Sequence, residues 1–178
     1  TEPALAMVIR VDGWGCDLEQ VDKELMLFAV QNITEELLGK LAVCVTLAFE
    51  KSKLLLLSQP KGIKDPAFTN DLWKRTIRFI KGTLETIQIT CKKILNLSLS
   101  FAVADVQKDW TDIPGQFYRL KLLLSKGLGM GQELILIDQD SDEDFESDGY
   151  THEIRYQLEK LSSMGIFLEN GNRHEFFA

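Results

Sequence analysis

The sequence predicts an α+β fold. Three observations carry that reading: short apolar stretches rich in β-formers, longer stretches with apolar residues at helical spacing, and the order in which the two kinds alternate. With 178 residues and 45% hydrophobic content, the chain is long enough for one domain with a sizeable core and an appendage.

"LAMVIRV", Leu5 to Val11, reads as a strand that leaves into the turn "DGWG". In "CDLEQVDKELMLFAVQNITEELLGK", Leu18, Val21, Leu25, Phe28 and Ala29 fall at helical spacing, and Ile33 and Leu37 continue the stripe. Asp17 is the expected N-cap of this helix and Gly39 its C-cap. "LAVCVTLAF" and "KLLLLSQ" read as two strands joined by the polar tip "EKS", hence an antiparallel hairpin. Their nearly continuous apolar character predicts central strands covered on at least one face. "PKGIKDP" reads as a loop.

A long helix is expected from about Thr69 to about Ile94, because Trp73, Ile77, Ile80, Leu84, Ile87, Cys91 and Ile94 alternate steps of four and three. The same spacing suits a coiled coil, but the stripe is expected to be mainly core, and any homodimer weak. "LSLSFAV" alternates apolar and small polar residues, as a half-buried strand does. "TDIPGQFYRLKLLLSKGLG" puts Ile113, Phe117, Leu120 and Leu124 on one helical face, closed by Gly127, and "ELILID" reads as a last short strand. "YTHEIRYQLEKLSSMGIFLENGN" reads as a separate amphipathic helix with Ile154, Leu158 and Leu161 on one side. "RHEFFA" stops within an apolar pattern, which suggests a piece of a longer chain.

The order is β-α-β-β-α-β, then an extra αβ unit, then a C-terminal helix. The first six elements make a split βαβ, or ferredoxin-like, sequence. Right-handed crossovers put both of its helices on one face of an antiparallel sheet. The later helices must cover the other face, or it stays partly polar. The expected divisions are a folded region over residues 1–138, an acidic loop over 139–149 and a helical connector over 150–178.

Charge and motifs exclude several functions. The formal net charge is -7, with 27 acids against 20 bases and no basic helix, so direct DNA binding by this chain is not expected. Seven of the acids lie in "DQDSDEDFESD", Asp138 to Asp148. Read as a calcium loop from Asp138, that run has Glu143 where glycine is needed and Gly149 where a bidentate glutamate is needed. "GLGMG" follows a helix and precedes a strand, the reverse of a dinucleotide loop. The chain has no GxxxxGK[ST], HExxH or GxSxG, and His152 and His174 both lie in the expected connector. Cys16, Cys44 and Cys91 are widely spaced, as suits reduced, mostly buried thiols. No apolar run is long enough to span a bilayer and no signal peptide is visible, so no membrane partner and a cytoplasmic location are expected.

"MVIRVDGW", "LMLFAVQNITEELL", "KLLLLSQP", "LSLSFAVAD" and "DIPGQFYRLKLLLSKGLGMG" together resemble the degenerate GGDEF-like domain in the middle of many AraC-type two-component response regulators of Gram-positive bacteria. The resemblance covers about Leu5 to Asp138. It implies a nucleotide-cyclase-like fold, a receiver domain before this module and a helix-turn-helix domain after it as partners in the same chain. It also implies a regulatory role in transcription. In the related diguanylate cyclases, an aspartate at the end of the first strand and a carboxylate in the hairpin hold metal. Asp12 stands where the first falls. In the hairpin, Glu50 and Lys51 stand at the two glycines, Ser52 at the metal carboxylate, Lys53 at the catalytic acid and Leu54 at the phenylalanine. The resemblance therefore implies no catalytic residue, no metal and no cofactor. Asp12, Trp14, Ser52 and Lys53 are left as vestigial or ligand-contact positions. Two other readings stand beside it: a nucleotide-binding or cyclase-like enzyme that uses Asp12, and an unrelated ferredoxin-like binding or assembly protein. Asp12 itself is expected to start a turn.

Overall fold

The computed structural model describes residues 2–14, 19–62, 69–127 and 132–139. The expected Asp17 cap, Cys16, Leu18, most of "PKGIKDP", the "GLGMG" turn after Gly127, the acidic loop beyond Gln139 and the connector over 150–178 lie outside the described residues.

Five strands and three helices follow in the order β1 (Leu5–Val11), α1 (Gln20–Leu38), β2 (Ala42–Glu50), β3 (Lys53–Pro60), α2 (Thr69–Leu95), β4 (Leu99–Ala104), α3 (Ile113–Lys126) and β5 (Ile135–Asp138). They form one sheet in the order β2-β3-β1-β4-β5. All neighbours are antiparallel except β4 and β5, which are parallel. β1 is buried along its whole length, as befits the middle strand.

The period of two in a strand divides β1 between two cores. Leu5, Met7, Ile9 and Val11 join Leu27, Val30 and Leu38 of α1 and Trp73, Ile80, Leu84, Ile87 and Cys91 of α2. Ala4, Ala6 and Val8 face the other way, toward Ile113, Leu120 and Leu124 of α3. Thus α1 and α2 share one face, and α3 covers part of the second. The α2 stripe is core down to Cys91, but Ile94 is exposed. There the helix is ending, and Asn96 turns the chain with a φ of 55°.

Four sequence expectations are corrected. First, the apolar stripe of α1 is out of phase at its N-terminal end. Val21, Leu25 and Phe28 are exposed, while Leu27, Val30, Thr34 and Leu38 face the core. The consecutive apolar run "LMLFAV" fits more than one helical phase. Packing selects the phase with Thr34 inward, its hydroxyl donating to the Val30 carbonyl at 2.7 Å. Second, α1 starts at Gln20 behind Glu19, whose N–H donates to the Asp22 carboxylate at 3.3 Å. Third, β4 is buried on both faces, because α3 covers the face that carries Ser100 and Ala102. Fourth, β2 is the edge of the sheet, with Val43, Val45 and Leu47 exposed. Gly39 does end α1 as expected. Its N–H donates to the Glu35 carbonyl at 2.8 Å, and a Cβ there would lie 2.7 Å from that oxygen.

Candidate functional site

Arg10 continues the even-numbered row of β1 below Val8 and lies in register with Ser100 of β4 and Lys53 of β3. A guanidinium in a buried strand needs every donor answered. Its Nη1 donates to the Leu124 carbonyl at the end of α3 at 2.8 Å. Its Nε and Nη2 both lie 2.9 Å from Asp12 Oδ1. The second oxygen, Oδ2, accepts from Ser100 Oγ at 2.8 Å and from the Glu133 N–H at 2.8 Å. Ser100 Oγ in turn accepts from the Leu134 N–H at 3.0 Å. The side chains of Arg10 and Asp12 are 7% and 2% exposed. Asp12 is therefore neither a solvated turn residue nor an open ligand. It is the buried anion that joins β1, β4 and the chain leading into β5.

Ser52 and Lys53 reach the same place through the hairpin. Its tip is Lys51 and Ser52, and the Ser52 carbonyl accepts from the Val11 N–H at 2.8 Å, which pins the tip to the end of β1. Lys53 Nζ is turned to Glu50, donating at 2.6 Å. Glu50 also lies 3.2 Å from Lys121 Nζ of α3. The hydrogen bond from Lys53 holds the Glu50 carboxyl below its ordinary range; the cost of burial opposes it, and Lys121 adds a lesser lowering. Lys121 stands over the Phe49 and Phe117 rings, 5.5 Å and 5.6 Å from their centres, and those rings meet edge-on.

A cavity of about 550 Å³ lies at this corner, lined by Arg10, Asp12, Trp14, Ser52, Lys53 and Gln132 among others. Trp14 is half-buried and packs against the larger core. The four positions singled out by sequence thus converge on one cavity. Sequence reading missed Arg10, Ser100 and Gln132. One signal was available: an arginine inside "VIRV" demands a buried partner.

Gly127 closes α3 close against the strand that follows. A Cβ there would lie 3.0 Å from Leu134 Cδ1 and 3.2 Å from Leu136 Cδ1.

A divalent cation does not fit these residues. Such ions take oxygen ligands, usually from one or two free carboxylates together with phosphates. Here the carboxylate at the strand end is already paired with a guanidinium, and the hairpin's carboxylate, Glu50, is held by Lys53 and Lys121. Among the described residues, no three His, Cys, Asp or Glu side chains converge on one point.

Among solved structures, the chain is similar to the active GGEEF domain of a diguanylate cyclase from Vibrio cholerae. The TM-score is 0.52 at 13% identity, covering 79% of this chain and 85% of that one. No protein-family model and no curated protein matches the sequence. The likeness shows a GGDEF-like α+β fold. No helix among the described residues is long and apolar enough to cross a membrane.

Proposed function

We propose that this chain is a non-catalytic regulatory module with a ferredoxin-like, GGDEF-type core. It works inside a two-component response regulator, between a receiver domain and a helix-turn-helix domain, and relays or senses a signal that controls transcription. The observation that carries the reading is the state of Asp12. Both of its oxygens are taken by Arg10, Ser100 and the Glu133 N–H, and its side chain is 2% exposed. Recruiting Asp12 to a metal strands a buried guanidinium, and breaking a buried pair costs about 3–5 kcal/mol. Lys53, at the position of the catalytic acid, lines the same cavity and brings no carboxylate to it, its ammonium being paired with Glu50. The regulatory context comes from the sequence resemblance, and the reading frame on either side of this chain checks it.

One observation favours the enzyme reading: the similar structure is an active cyclase domain. The separating experiment incubates the unmodified chain with GTP and magnesium and measures product by chromatography. No product above the protein-free control is expected. Turnover that disappears in Asp12→Ala would return the chain to the enzymes.

A further inference from the structure

We infer that β2 pairs edge to edge with β2 of a second copy, antiparallel and about a twofold axis through Val45, so that two five-stranded sheets become one. The inference starts from backbone directions. The Lys61 N–H donates to the Leu41 carbonyl at 2.9 Å, so Leu41 points at β3. Alternation along an antiparallel ladder then points Val43, Val45 and Leu47 at β3 as well. Ala42, Cys44, Thr46 and Ala48 present their N–H and C=O groups outward. No backbone hydrogen bond among the described residues reaches that outer side.

Sheet edges that stay single are blunted by lysine, proline or inward-pointing charge. From Ala42 to Phe49 this edge has none of these, and its only irregularity is a register shift between Ala48 and Glu50. Val43, Val45 and Leu47 are 53%, 57% and 54% exposed on its α3 side. On the α1 side, Thr46 Oγ1 is buried without a hydrogen-bond partner.

Pairing about Val45 answers each feature with one register. Cys44 faces Thr46 of the second copy and Ala42 faces its Ala48, which are the hydrogen-bonded pairs the outward groups require. The unpartnered Thr46 hydroxyl gains a thiol neighbour. Val43 meets Leu47, and Val45 meets itself, giving aliphatic cross-strand pairs on the exposed face. No charge enters the paired segment. Beyond the paired segment, one end carries Lys40 and the other Glu50, opposite charges that the twofold axis brings to the same ends of the contact. The apolar self-match favours a copy of this chain over an unrelated partner, and the short contact suits a weak dimer.

Sedimentation of the unmodified 178-residue chain is expected to show twice the monomer mass at high concentration, dissociating on dilution. Val45→Lys should sediment as a monomer with an unchanged circular dichroism spectrum. Val45→Cys should form a disulfide dimer under mild oxidation, since non-hydrogen-bonded pairs sit about 4.5 Å apart at Cα. Leu47→Cys should not, because its two copies stand about 13 Å apart along the strands. A chain that stays monomeric, a dimer that survives Val45→Lys, or equal cross-linking at both positions would each overturn the inference. If Val45→Lys fails to fold, the two cysteine variants still decide the register.

Discussion

Arg10 and Asp12 are two residues apart in sequence, yet the pair they form is set by Ser100 and Leu124, far along the chain. A buried ion pair of this kind is a poor source of net stability but is costly to break. Arg10→Met should therefore destabilise the protein by about 3–5 kcal/mol, seen as a lower urea midpoint at an unchanged slope. Replacing both partners, as Arg10→Met with Asp12→Leu, should recover most of that loss. If the single and double variants unfold at the same urea concentration, the pair does not carry the energy assigned to it. Asp12, Ser52 and Lys53 were legible through the resemblance to GGDEF-like domains, and Trp14 as their neighbour in the turn after β1; strand and turn patterning alone does not mark them. Ser100 was not legible, since nothing in "LSLSFAV" distinguishes a hydroxyl that meets Asp12 from one that meets water.

Among elements, the helices illustrate how far periodicity reaches. The α2 stripe was readable because polar residues separate its apolar positions, leaving one phase. In α1 the crowded run from Leu25 to Val30 allowed a wrong phase, and the exposed residues Val21, Leu25 and Phe28 were assigned to the core. The two helices should thus respond oppositely to substitution. Leu25→Gln is expected to change stability by no more than about 0.5 kcal/mol, as surface changes do. Ile80→Ala, at a position 1% exposed, is expected to cost about 2–5 kcal/mol. Thermal denaturation of the two variants side by side checks the assignment, and equal losses would return the face of α1 that carries Leu25 to the core. The hairpin was legible from its tip residues, but its place in the sheet was not. An apolar strand looks alike whether it is central or an uncovered edge, and here β2 is the edge.

Across the whole molecule, two thiols among the described residues, Cys44 and Cys91, have protonation coupled to folding. Burial pushes the Cys91 thiol up to about 11. Burial, reinforced by Glu35 and opposed by Lys61, pushes Cys44 up to about 11 as well. Both folded values exceed the ordinary value of 9.0, so the native state holds these protons more tightly than the unfolded chain. Their contribution is complete below that ordinary value and is lost as pH rises toward about 11. Unfolding free energy should accordingly decline over that interval, and less steeply in Cys91→Ala. An identical pH slope in the variant would remove Cys91 from the account. The order of elements was legible at this scale because each carries its own period. The order of strands depends on pairings between distant segments: β1 lies between β3 and β4, both encoded well after it. That placement has a consequence for biosynthesis. At about 5–20 residues per second, the ribosome needs about 4 to 18 s to advance from Val11 to Leu99. Throughout that interval the nascent "LAMVIRV" lacks at least one of its two flanking strands. The most apolar strand of the sheet waits longest for its second partner, so its β4 side is the last of its edges to be covered as the chain emerges.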